Sequence, residues 1–193
     1  MLKRALMVVA VFLLCGLAAA QVPEIPRFGL FAGGSYANTP YLSGGRSNLF
    51  GWEGTVEGFR LKPFLTFVAD GSGDYGWNPF PISCVTVAVV CSPNPPDSRV
   101  REYDLLAGPQ ISMVRGRFRP FAHVMGGAGH VSMRTNGFYD DSLAWMVAVG
   151  GGTDYAWRGR FSFRAQGDVI RKNFFSDTQY GLRVSIGIAM RIF

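Results

Sequence analysis

The sequence predicts an all-β protein, an eight-stranded antiparallel up-and-down transmembrane β-barrel with short turns at one end and longer loops at the other. Three observations carry this. Glycine (25 of 193 residues) and aromatic residues (14%) are abundant, and helix-period stretches are missing beyond the N-terminus. Eight segments alternate apolar side chains with polar or small ones at period two. The connections between those segments are alternately long and short.

The first twenty residues stand apart. Met1-Leu2-Lys3-Arg4 is followed by "ALMVVAVFLLCGLAAA", ending at Ala20. A basic start, a short apolar run and small residues before Gln21 predict a cleaved signal peptide over 1–20, leaving a barrel domain over 21–193. Leu14 before Cys15 argues against a lipoprotein, which needs a small residue there. Loss of Lys3 and Arg4 lowers the formal charge of +6 by two, too mild a balance to suggest nucleic acid. In an exported chain the remaining cysteines, Cys84 and Cys91 in "SCVTVAVVCSP", predict a disulfide that staples one loop. No third Cys or His lies near them, so no metal is expected. No later apolar run reaches the roughly 18 residues that a membrane helix needs.

The alternating stretches are Arg27–Ala37, Phe50–Leu61, Phe64–Gly73, Glu102–Val114, Phe118–Met133, Leu143–Trp157, Phe161–Lys172 and Gln179–Phe193. After the first comes the long "NTPYLSGGRSNL". The second and third are joined by Lys62-Pro63 alone, and the third and fourth by a segment holding both cysteines. "RGR" at 115–117 joins the fourth to the fifth, and "RTNGFYDDS" the fifth to the sixth. A second "RGR", at 158–160, precedes the seventh stretch, and "NFFSDT" precedes the last. An antiparallel meander puts alternate connections at opposite ends, so one end is trimmed and the other elaborated, as in outer-membrane barrels. With eight strands, both chain ends fall at the trimmed end.

Each stretch has two unlike faces. In the second, Phe50, Trp52 and Val56 alternate with Glu53, Thr55 and Glu57; in the fourth, Tyr103, Leu105 and Ile111 alternate with Asp104, Gln110 and Ser112. The sixth sets Trp145, Val147, Val149, Tyr155 and Trp157 against Ala148, Gly150, Gly152 and Asp154. The seventh sets Phe161, Phe163 and Val169 against Arg164, Gln166 and Asp168. In the last, Tyr180, Leu182, Val184, Ile186 and Ile188 alternate with Gly181, Arg183, Ser185 and Gly187. A soluble barrel would turn the apolar faces inward. Here the polar faces are rich in Gly, Ala and Ser, which suits a narrow lumen, and their charges come in both signs. Trp52, Tyr103, Trp145, Tyr155, Trp157 and Tyr180 sit toward strand ends on the apolar face, as interfacial girdles do. The apolar faces are therefore expected to touch lipid, with closure onto the first strand removing the free edge.

The stretches "NLFGWEGTVEGF", "YDLLAGPQISM", "RFRPFAHVMGGAGHVS", "MVAVGGGTDYAW", "AQGDVI" and "YGLRVSIGIAMRIF" span almost all of the mature chain. In them the chain resembles the small eight-stranded outer-membrane barrels of the OmpA/OmpX/opacity type. The resemblance implies residence in the outer membrane of a Gram-negative-type bacterium, contact with outer-membrane lipid and lipopolysaccharide, and a monomer. The closing strand with its aromatic last residue resembles the signal read by the barrel-assembly machinery, which with periplasmic chaperones would be a partner in biogenesis. Phe193 stands one step off the lipid-facing phase of Met190 and Ile192. Unlike full-length OmpA, the chain is expected to lack a peptidoglycan-binding domain.

Two sets of residues are candidates for chemistry. Glu53, Glu57, Asp104, His123, Asp154, Arg164, Gln166, Asp168, Arg183 and Arg191 predict a polar lumen network that neutralises buried charge and fixes register. A barrel of eight strands is filled by its own side chains, which argues against a general porin. The expected function is a structural or surface-interaction role, or a very narrow channel, without catalysis or cofactor. The alternative rests on "GHVS". His130 and Ser132, two apart, share a face that the alternation turns outward. This pair resembles the serine and histidine of outer-membrane lipid A deacylases, with Asp140 or Asp141, read as loop residues, to orient the imidazole. The continuation "MRTNGF" departs from those enzymes, and their orienting glutamate is missing at the expected distance.

Overall fold

A computed structural model describes residues 28–41, 45–62, 64–79, 97–135, 138–174 and 178–192. The expected signal peptide, the Cys84–Cys91 pair and Phe193 lie outside the described residues.

Eight strands follow one another: β1 (Phe28–Tyr41), β2 (Gly45–Lys62), β3 (Leu65–Pro79), β4 (Asp97–Ser112), β5 (Phe118–Thr135), β6 (Phe138–Arg158), β7 (Phe161–Lys172) and β8 (Gln179–Ile192). Each pairs antiparallel with its sequence neighbours, and β8 pairs with β1 from Phe28↔Ile192 to Asn38↔Leu182, so the sheet is a closed barrel. Closure gives every strand two hydrogen-bonding neighbours and leaves no edge.

One end is trimmed. Between β4 and β5, Arg115 and Phe118 exchange backbone hydrogen bonds of 2.8 and 3.1 Å around Gly116 and Arg117. Gly116 (φ 61°) and Gly159, in the β6–β7 turn (φ 57°), take left-handed conformations that a side chain disfavours, which is why the same Arg-Gly-Arg serves both turns. Register shifts fall near this end too, between Gly58 and Lys62 on β2 and at Ala156/Arg158 on β6, where bulges let the sheet twist into its turns.

The other end departs from the sequence expectation. The strands continue where long loops were expected. β1 and β2 stay paired to Tyr41↔Gly45, and β5 and β6 to Thr135↔Phe138. "RTNGFYDDS" is therefore mostly strand, and Asp140 and Asp141 belong to β6 rather than to a loop. Polar strand ends hide their periodicity in sequence, but backbone pairing does not require apolar side chains.

Alternation sorts the side chains into a wall and a lumen. Along β8, Leu182, Val184, Ile186 and Ile188 are exposed, whereas Arg183 and Ser185 between them are buried. The lumen is not polar throughout, as the sequence suggested. Leu49, Val100, Val131, Met133, Met146 and Phe174 are buried in one apolar cluster that fills the half away from the short turns. Leu49 and Val100 lie where strands outrun the predicted stretches and Phe174 just past β7, whereas Val131, Met133 and Met146 lie inside stretches whose inward phase was expected to be polar.

Candidate functional site

The lumen holds two linked charge clusters. Nearer the short turns, Glu57 (β2) faces Arg119 (β5) and Arg164 (β7). Arg119 donates to Glu57 at 2.7 Å and Arg164 donates to the other carboxylate oxygen. Arg164 also grips Asp154 (β6) with Nε and Nη2 at 2.6 and 3.0 Å, and Arg191 (β8) donates to the same carboxylate at 2.9 Å. Phe121 and Phe31 flank the Arg164 guanidinium, 4.6 and 5.2 Å from ring centre to Cζ, covering its faces while the carboxylates take its edge.

One layer further in, Arg183 (β8) organises the middle. Its guanidinium donates to Ser72 at 2.7 Å and Asp70 at 2.9 Å on β3, and to Asp168 on β7 at 3.3 Å, with Glu53 of β2 at 3.5 Å. His123 donates to Asp168 at 2.6 Å, Thr55 to Asp70 at 3.0 Å, and Gln166 and Ser185 both donate to Glu53. Toward the apolar half, Lys172 pairs with Glu102 and donates to Thr39 at 3.2 Å. Buried charges paired across the lumen in this way hold strands in register.

All ten residues expected in the lumen lie on inward positions, and nine join these clusters. Asp104 does not, since its Oδ1 is buried without a hydrogen-bond partner. Sequence reasoning missed Arg119, Lys172, Asp70 and Glu102. All four lie inside the predicted stretches, the first on the phase of His123 and the third on that of Ser72, so period two applied throughout would have found them.

On the outer wall, Trp52, Tyr103, Trp145, Tyr155, Trp157 and Tyr180 are all exposed. Tyr155 and Trp157 stand near the short turns, and the other four toward the far end. Exposed Val56, Leu105, Val124 and Ile186 lie between the two groups.

His130 and Ser132 also face outward, toward the far end. Pairing of β5 with β6 puts Asp141 across from Ser132, and its carboxylate lies 3.4 Å from His130 Nε2. Among the described residues Ser132 makes no side-chain hydrogen bond, so serine and imidazole are neighbours without being linked. The same rim carries an arginine group: Arg99 and Arg134 are paired across β4 and β5, and Arg101 stands across from Ser132. Arg99, Arg101, Ser132, Arg134 and Tyr139 line a pocket of about 140 Å³. Among the described residues no group of His, Cys, Asp and Glu is arranged to hold a metal.

Solved structures share this architecture. Neisserial surface protein A superposes with a TM-score of 0.64 at 13% identity, covering 86% of this chain and 97% of that one. Ail, the attachment invasion locus protein of Yersinia pestis, gives 0.56 at 11% identity over 86% of this chain and 100% of its own. Ail in complex with the heparin analogue sucrose octasulfate gives the same score at 10% identity, with the same coverage. No protein-family model and no curated protein matches the sequence. The likeness is one of fold.

Proposed function

We propose that this chain, having the fold of the small eight-stranded outer-membrane barrels, is embedded in the outer membrane of a Gram-negative-type bacterium as a non-catalytic surface-interaction protein. The observation that carries the reading is the inversion along β8, where Ile186 is 66% exposed and Arg183 is wholly buried. In water this places the wrong side chains outside, whereas in hydrocarbon it satisfies both faces. Charge clusters and an apolar fill occupy the lumen, which supports a scaffold for its outer end over a conduit.

The arginine pocket is the proposed contact for an anionic sugar, lipopolysaccharide phosphates among them. Arg101 and Arg134 stand on this rim beside Ser132, and their guanidiniums suit sulfate and phosphate oxygens. Ail was crystallised with a polysulfated sugar, which supports the same ligand chemistry here. Titrating the purified barrel with sucrose octasulfate tests this. Saturable binding weakened about tenfold or more by R101Q/R134Q is expected; equal binding by both proteins contradicts it.

Lipid A deacylation is the second reading, favoured by one observation: Asp141 is delivered to His130 by strand pairing. The missing link from Ser132 to the imidazole keeps it second.

A further inference from the structure

Among the described residues the short-turn end is basic. Lys62, Arg115, Arg117, Arg158 and Arg160 are exposed there, one at the β2–β3 turn and two at each Arg-Gly-Arg turn. Among the described residues none of the five has an ion-pair partner. The stretches 58–64, 112–118 and 156–163 contain no Asp or Glu. Among the described residues, the carboxylates toward this end, Glu57 and Asp154, are buried in the lumen and held by Arg119, Arg164 and Arg191.

The turns are also tied together. Ala156 donates to the backbone oxygen of Arg117 at 2.8 Å, and Arg191 to that of Arg160 at 2.9 Å. The arginines of the two turns therefore form one arc along the rim. Immediately beside the arc, the outer wall exposes Phe64, Phe118, Trp157 and Phe161, with Phe118 stacked on Tyr155 (5.1 Å) and Trp157 on Phe163 (5.1 Å). An aromatic collar with cations directly beyond it is the order met when passing from hydrocarbon into lipid headgroups. Tight turns of this length rise only a few ångströms past the collar, at about 3.3 Å per extended residue. On the membrane reading, guanidiniums carried by such turns are within reach of lipid phosphates.

We propose that this arc is a binding surface for anionic phospholipid headgroups of the leaflet it faces, with Arg115, Arg117, Arg158 and Arg160 holding lipid phosphates and Lys62 extending the surface beneath β2 and β3. The proposal rests on the membrane reading above. The paired donors of a guanidinium suit phosphate oxygens, and Gly116 and Gly159 let each turn present both arginines outward.

The test is native mass spectrometry of the full barrel released from nanodiscs of mixed phosphatidylglycerol and phosphatidylcholine, with insertion checked by heat-shifted gel mobility. Wild type should retain phosphatidylglycerol over phosphatidylcholine by about tenfold or more, since each cation near an anionic surface favours it severalfold. R115Q/R117Q/R158Q/R160Q should bring the ratio near one. The matching Arg→Lys variant, which keeps the charge and serves if the Gln variant does not fold, should hold most of the preference. R46Q at the far rim, outside the arginine pocket, should leave it unchanged. An inserted wild-type barrel with no preference, a preference untouched by the four Gln substitutions, or one lost on changing the far rim would each overturn the proposal and leave the membrane reading intact. Failure to insert into any lipid would remove the membrane reading itself.

Discussion

Arg183 of β8 reaches across the lumen to Asp70 of β3, its Nη2 donating to Oδ1 at 2.9 Å over a sequence separation of 113 residues. The two strands are not neighbours in the sheet, so the bond braces the barrel from within. Asp168 and Glu53 share the same guanidinium.

Removing that cation strands three carboxylates. Arg183→Met should lower unfolding stability by about 3–5 kcal/mol, the usual penalty for breaking a buried ion pair by deleting one partner. Urea titration in detergent measures it. Adding Asp70→Asn to Arg183→Met should recover part of the loss. A pure loss of packing would show no such recovery.

The wall makes the opposite prediction. Ile186 and Val124 are 66% and 51% exposed, midway between the aromatic groups. Ile186→Arg or Val124→Arg should cost about 2–4 kcal/mol of stability in lipid, as expected for a charge at the bilayer centre. Refolding equilibria in lipid vesicles give the number. A barrel that lives in water would tolerate either change, so a neutral result would count against the lipid-facing wall.

The filled lumen predicts electrical silence. With Arg183 and its partners in the middle and Phe174, Leu49 and Met133 beyond them, planar bilayers containing the protein should show at most small, rare conductance steps. A large steady open level would refute the packing described here.

How much of this was legible in the sequence depends on what the side chains had to do. Where the outer wall and the lumen impose opposite demands on successive residues, as from Tyr180 to Met190, period two is plain and the strand could be read directly. Where β1, β2, β5 and β6 run past the apolar belt, only backbone pairing defines them, and Asn38, Ser47, Thr135 and Asp140 look like loop. Arg183, Asp168 and Asp70 could each be assigned to the lumen from phase, but that they meet one another could not. Which residues meet across a lumen depends on the stagger of all eight strands, and no local pattern encodes it. The apolar cluster around Met146 and Phe174 was missed because inward phase was equated with polarity.

His130 and Ser132 invite a direct check. Because Ser132 has no hydrogen bond to the imidazole and Asp141 lies at 3.4 Å, lipid A mass spectra from cells with and without the protein should be identical. Loss of one acyl chain that disappears in Ser132→Ala would replace the leading reading with catalysis.

The central claim is that the chain is an integral outer-membrane barrel, and fractionation of expressing cells tests it most directly. After an alkaline carbonate wash the protein should stay in the outer-membrane pellet and need detergent for release. The unheated sample should migrate faster on a gel than the boiled one, because the closed sheet resists the detergent. Recovery of folded protein in the periplasmic or wash fraction, without detergent, would contradict the account.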